Sequence, residues 1–417
     1  MTNPITPPVA ARYTRSIHLE RDYADPTRGL IGYHVTPLVV QTIERIGAGL
    51  AATSTARAFS LVGPYGSGKS AFGVFLAHYL RHTAHERLTL LADHGFAGAT
   101  NPDSHNGPAL LPLLISGNNS SLRLAIVHAI QRVIAPFGSP SEPLALALDH
   151  ALADDQLDPQ TVTDFVAQTA LLVRQHTPYG GVALVVDELG QYLNYTARHS
   201  DERDLFVLQT LAEMAARSHD TRCLIITILH QTFDRYATNA GATQRLEWAK
   251  VQGRFVEIPF QEPTSQMMRM LGHALCPLAQ LDAPRLAWAA HLAPIADDLG
   301  LRPSDIAVAD WHQLVAQTYP LHPTVVAVLP VLFRQLAQNE RSLFAFLYSP
   351  EPGSLADVLA ATPPHIQPLP YRLPHLFHYV EATLGASLFG RARGQRWAEL
   401  AKRGRCWQTL IRCCAIL

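Results

Sequence analysis

The residues most able to do chemistry are Gly63-Pro64-Tyr65-Gly66-Ser67-Gly68-Lys69-Ser70, which fit the pattern G-x-x-x-x-G-K-[ST] at every fixed position. Each type has a mechanical reason. The glycines let the backbone wind tightly enough to aim several N–H groups at one point, and a helix starting at Lys69-Ser70-Ala71 adds its positive end. Lys69 would neutralise the β and γ phosphates of a nucleotide, and Ser70 would offer Mg²⁺ a hydroxyl ligand. The segment Gly63 to Ala71 is therefore expected to cradle ATP and its Mg²⁺.

A second group follows in Gly181-Val182-Ala183-Leu184-Val185-Val186-Asp187-Glu188. An apolar run delivers two acids to the carboxyl end of a strand. Asp187 is expected to hold the metal's water shell opposite Ser70. Glu188, one residue on and pointing elsewhere, would polarise a water for attack on the γ-phosphate. The plainer reading is that the two acids cap a helix beginning near Leu189. A third run, Cys223 to Leu229, ends in His230-Gln231. Either residue could sense the γ-phosphate, against the reading that His230 is one of twenty histidines with an ordinary structural role.

These groups require a scaffold that brings strand ends together. Apolar runs at Ala58 to Val62, Leu110 to Ser116, Val182 to Val186, Cys223 to Leu229 and Phe255 to Ile258 alternate with segments of helical spacing such as Ala71 to His82. Strands apolar on every position have no solvent face, which predicts an α/β fold with a parallel sheet covered on both sides. Ligands then bind at the carboxyl ends of the strands. Gly117-Asn118-Asn119-Ser120 closes the second strand, and Ser120 or Ser121 is the expected N-cap of the next helix.

Beyond Pro259 the pattern turns helical, from Ser265 to about Gln338, and predicts an α-helical lid domain. Seven of the twenty-five residues from Pro350 to Pro374 are proline, which predicts an extended linker and a boundary near 350. The expected division is 1–50 as an N-terminal segment packing on the nucleotide domain, 51–262 as that domain, 263–349 as the lid, and 350–417 as linker and basic C-terminal tail.

Composition sets the class. The 417 residues are 48% hydrophobic and 16% charged, with 33 basic and 34 acidic side chains, a globular balance for two or three domains. Seven basic residues and one acid between Arg391 and Arg412 give +6, and −1 − 6 leaves −7 for the remainder. Cys223, Cys276, Cys406, Cys413 and Cys414 have no spacing suited to zinc or a disulfide framework. No apolar run approaches a bilayer span, so the expectation is a cytoplasmic protein without a membrane partner.

The stretch Lys250-Val251-Gln252-Gly253-Arg254-Phe255-Val256-Glu257-Ile258-Pro259-Phe260 resembles the Arg-Phe segment of AAA+ ATPases of the origin-recognition type. That resemblance implies a P-loop NTPase sheet of the additional-strand type. It implies that His230 or Gln231 stands at the sensor position, and that Arg254 is an arginine finger reaching its own site or a neighbour's, against the plainer reading of a surface arginine in a salt bridge. Tyr319-Pro320-Leu321-His322-Pro323, Gln338 to Phe344 and the opening Arg15-Ser16-Ile17-His18-Leu19-Glu20-Arg21-Asp22-Tyr23-Ala24-Asp25 are similar to segments of large P-loop proteins in bacterial phage-defence and phage-exclusion gene clusters. The similarity spans most of residues 12 to 350 and makes Arg341 a candidate second sensor.

It implies an ATP hydrolase coupled to conformational change in a multi-component anti-phage system, with further copies of itself or other proteins as partners. The alternative is an ATP-gated oligomeric scaffold with little or no hydrolysis. Direct DNA binding is left open, since the positive charge lies at the C-terminus rather than along a channel. Two departures stand out. Lys69 and Asp187 are 187 − 69 = 118 residues apart, which calls for extra helices between them. The basic tail is unlike what precedes it, so the chain could be a fragment of a longer protein.

Overall fold

A computed structural model describes residues 17–25, 29–51, 53–96, 98–154, 156–199, 203–236, 242–276, 280–336, 343–361 and 370–389. They fall into two compact units that meet in sequence at Glu262 and Pro263.

The first unit is built on five parallel strands: β1 (Ala58–Val62), β2 (Leu111–Ile115), β3 (Gly181–Val186), β4 (Arg222–Leu229) and β5 (Val256–Pro259). Their spatial order is β2-β3-β4-β1-β5, so β4 lies between β1 and β3. Side chains alternate across the strands. Phe59, Leu61, Leu114, Ala183, Val185, Leu224 and Ile226 join one apolar core. Leu113, Ile115, Val182, Leu184, Val186, Cys223 and Ile225 join the other. Both faces are buried, as the uninterrupted apolar runs require.

The first core is roofed by α1 (Leu19–Ala24), α2 (Pro37–Ala48), α3 (Lys69–Arg81) and α4 (Ala84–Asp93). Residues 17 to 50 thus belong to the sheet unit itself, through Leu19, Val39, Ile43 and Ile46. The opposite face carries α5 (Leu122–Ile134), α6 (Glu142–Ala153), α7 (Pro159–His176), α8 (Leu189–His199) and α9 (Arg203–Arg217). The short α10 (Phe233–Tyr236) and α11 (Ala242–Gln252) join β4 to β5. Helices α3 to α7 fill the long interval between Lys69 and Asp187.

The start of α5 departs from the expected serine cap. Ser121 is the N-cap residue, yet its hydroxyl makes no capping bond to the helix. It donates to Asp204 (2.8 Å), whose carboxylate also accepts from Leu122 N–H (2.8 Å), Arg123 N–H (3.3 Å) and Arg123 Nε (2.7 Å). A full negative charge at the positive helix end does more than a neutral hydroxyl. Both members of the Arg123–Asp204 pair are buried. Asp204→Ala is expected to cost about 3–5 kcal/mol of stability, because it leaves the guanidinium buried without its carboxylate and the helix uncapped. Denaturant unfolding of the two proteins measures the difference.

The second unit is helical in its described residues: α12 (Thr264–Leu275), α13 (Ala283–Asp298), α14 (Val308–Gln317), α15 (Pro323–Leu336), α16 (Leu343–Tyr348), α17 (Leu355–Ala360) and α18 (Leu373–Phe389). Its core gathers Trp311, Leu314, Val325, Leu329 and Phe346 with Leu355, Tyr371, Leu376 and Tyr379. The expected boundary near 350 is therefore corrected. Leu355, Tyr371, Leu376, Tyr379 and Val380 complete the same core as the helices before them. Tyr371 Oη donates to Gly353 O (2.6 Å), and Tyr379 Oη donates to Glu351 (2.9 Å). Proline density shortens helices without preventing their burial. No described helix is long and apolar enough to cross a membrane. Arg341, Cys406, Cys413, Cys414 and the basic stretch 391–412 lie outside the described residues.

Candidate functional site

The loop after β1 is shaped by two kinds of glycine. Gly63 sits against the exit of β5, where a Cβ would stand 2.1 Å from Phe260 O, so only a residue without one fits. Gly66 (φ 72°) and Gly68 (φ 86°) are left-handed, and a Cβ on either would meet nothing within 4 Å. Their reason is conformation rather than space. The loop so formed opens onto the first turn of α3, which holds Lys69, Ser70 and Ala71.

Lys69 folds back into this loop. Its Nζ donates to Gly63 O (2.6 Å), Pro64 O (2.7 Å) and Ser67 Oγ (3.3 Å), and the side chain is only 8% exposed. Burial lowers its pKa to about 8, against the opposing pull of Asp187 and Glu188. The ammonium is thus desolvated and held by neutral oxygens.

Asp187 reaches the same place from the carboxyl end of β3. It is buried, lies beside the Ser70 side chain, and takes Glu188 N–H on Oδ1 (2.9 Å). Burial raises its pKa; the Ser70 side chain, the Glu188 N–H and the nearby Lys69 and His18 pull the other way. Lys69, Ser70 and Asp187 therefore converge, although one whole strand, β4, separates β1 from β3. Among the described residues no cluster of three or more His, Cys, Asp or Glu side chains could hold a metal by itself. A hydroxyl beside one carboxylate instead suits a cation that keeps waters and takes phosphate oxygens, which is the habit of Mg²⁺.

Glu188 has φ 52°, the one non-glycine left-handed backbone among the described residues. It precedes α8 directly, and Gln191 Nε2 donates to its Oε2. This conformation is uncommon for a residue with a Cβ and clusters at functional positions.

His230 follows β4 and faces the loop. Its ring stacks on Tyr65, with centroids 4.4 Å apart and planes at 20°. Tyr236 Oη lies 2.8 Å from His230 Nδ1. Burial, reinforced by Lys69, lowers the His230 pKa, so its ring is neutral near pH 7. Room for Tyr236 comes from Gly190, where a Cβ would stand 2.2 Å from the phenol oxygen. Sequence reading missed Tyr236, Gln191 and His18, because nothing local marks them.

Arg254 stands elsewhere. It precedes β5, at the amino end of the sheet, and pairs with Glu213 of α9 (3.1 Å). Pro259, at the opposite end of β5, is level with Val62 beside the loop. The strand Val256–Pro259 alone spans about 10 Å and Arg254 lies in the turn before it, beyond an arginine's reach, so Arg254 does not serve the site of its own chain.

The lysine would make the binding of a phosphate ligand pH-dependent. A polyphosphate on Lys69 would favour the ammonium and raise its pKa above the free value of about 8. The complex then holds the proton more tightly than the free protein. Affinity is full below pH 8 and falls as pH rises through it, by up to about tenfold per unit. Lys69→Arg, always charged, should flatten the curve. Titration calorimetry with ATP from pH 7 to 9.5 tests both.

Comparison with protein families, with curated proteins and with solved structures finds no match for this chain.

Proposed function

We propose that this chain is an ATP-binding and ATP-hydrolysing P-loop protein of the additional-strand, AAA+-like type, with the helical unit as its lid domain. The observation that carries this reading is that Lys69 and Ser70 lie close enough to the buried Asp187 to favour its charged form. Two motifs 187 − 70 = 117 residues apart come together, and the loop's lysine is buried beside them. A glycine-rich turn without a ligand gains nothing from a desolvated ammonium and a desolvated carboxylate, each of which costs stability.

The residues fit the nucleotide. Lys69 exchanges loop carbonyls for phosphate oxygens, and the open space over Gly66 and Gly68 leaves their backbone accessible. Ser70 and Asp187 would hold Mg²⁺, which when bound offsets polyphosphate charge. Glu188 orients a water and takes its proton; His230, neutral and stacked on the loop, reports the state of the γ-phosphate.

Arg254 faces away from its own site, which suits a finger supplied in trans by a neighbouring copy in a homo-oligomer. Its exposed pair with Glu213 is worth little by itself, about 0–1 kcal/mol. The resemblance to phage-defence proteins extends the reading to a cytoplasmic, multi-component assembly in which turnover drives conformational change. The test is ATP hydrolysis by the purified chain with Mg²⁺, with and without double-stranded DNA. Turnover supports the reading, and stimulation by DNA would add nucleic acid to its partners. Tight ATP binding with no turnover would replace it by the ATP-gated scaffold.

A further inference from the structure

Gly117 has an ordinary backbone and no left-handed φ, so conformation does not explain it. Space does. A Cβ there would lie 2.6 Å from Glu188 Cβ, 2.9 Å from Glu188 O and 3.2 Å from Glu188 Oε2. Glu188 O cannot move aside cheaply, because it accepts Gln191 N–H (2.9 Å) in the first turn of α8. Glu188 Cβ cannot either, since its N–H is fixed by Asp187 Oδ1 (2.9 Å) and Asp187 N–H by Ile115 O (2.8 Å). The left-handed Glu188 is therefore held between the end of β2 on one side and α8 on the other, with Gln191 Nε2 on its carboxylate.

We propose that Gly117 and Gln191 are positioning residues for Glu188: Gly117 by leaving the volume that Glu188 fills, Gln191 by fixing its carboxylate oxygen. Neither is assigned a contact with nucleotide. The inference rests on the hydrolase reading above, and deepens it by naming what aims the base. A strained residue keeps its backbone only where its surroundings over-determine it. Here those surroundings are a glycine two residues beyond β2 and a glutamine one turn into α8. A methyl at Gly117 would push Glu188 by an ångström or more to reach ordinary contact, and a misplacement of about 1 Å can cost about 100-fold in rate.

The experiment compares the parent, Gly117→Ala, Gln191→Leu, Glu188→Gln and the Gly117→Ala/Glu188→Gln double variant. Binding of a fluorescent ATP analogue is read beside kcat and KM for ATP with Mg²⁺. Expected are a fall in kcat of about 10- to 100-fold for Gly117→Ala and a smaller fall for Gln191→Leu, with analogue affinity within about threefold of the parent. The double variant should be no slower than Glu188→Gln alone, since the base it would misplace is already gone. Gln191→Leu keeps the test open if Gly117→Ala does not fold, because Gln191 is exposed.

Parent-like kcat in the folded single variants overturns the proposal while leaving the hydrolase reading intact. Equal losses of binding and turnover, or a double variant slower than Glu188→Gln, would likewise show a merely structural role. A parent that binds the analogue but never hydrolyses ATP defeats the hydrolase reading first, and this assignment with it.

Discussion

Lys69→Ala is expected to remove nucleotide binding. The side chain is buried and reaches three oxygens of its own loop, so the ammonium is already desolvated before any ligand arrives. A phosphate therefore meets a charge whose hydration has largely been given up, in surroundings where screening is weak. Truncating one member of a buried, hydrogen-bonded charge pair costs about 2–5 kcal/mol, which is about 30- to 5000-fold in affinity. Calorimetric titration with ATP checks this. The fold should persist, since the loop's shape depends on its glycines and on the β1–β4 and β1–β5 register. An unchanged affinity would remove the loop from the function altogether.

Glu188→Gln is expected to separate binding from turnover. The amide keeps the size of the carboxylate and its backbone, so the packing against Gly117 and the Glu188 N–H to Asp187 Oδ1 hydrogen bond are preserved. It loses the ability to take a proton from water. General-base contributions of about 10²–10⁴-fold set the expected fall in kcat, with ATP affinity close to the parent's. Single-turnover assays with labelled ATP, alongside analogue binding, read the two effects apart. If Glu188→Gln hydrolyses ATP at the parent's rate, Glu188 is not the base, and its left-handed backbone needs another explanation.

The two expectations are physically distinct. Lys69 would act through charge in a desolvated cradle and affect every phosphate-bearing ligand. Glu188 would act only on the reacting water, so a nucleotide analogue that cannot be hydrolysed should bind the parent and Glu188→Gln alike.

Much of the architecture was legible in the chain because its causes are local. Five apolar runs became five strands, with bounds shifted by about one residue, since strands buried on both faces admit few polar positions. The loop Gly63 to Ser70 was legible because backbone conformation at Gly66 and Gly68 depends on those residues themselves. Asp187 and His230 were legible as polar residues ending apolar strands.

Other features depend on what packs beside what. No local signal shows that Asp204 caps α5 from 83 residues beyond Ser121, that Tyr65 stacks on His230, or that Tyr236 fits over Gly190. Arg254 was legible as a type and not as a place: only the parallel register of β1 and β5 puts it at the far end of the sheet. Seven prolines suggested a linker, yet Leu355, Tyr371 and Tyr379 are buried, because burial is decided by neighbours and not by helix length. By itself the sequence determined the residue types, the strand and helix segments and the glycine-rich loop after the first strand, all set by spacing within about a dozen residues. Only the tertiary structure decided which strand ends meet, which glycine makes room for Glu188, and which side of the sheet each charge faces, because those follow from contacts between residues far apart in the chain.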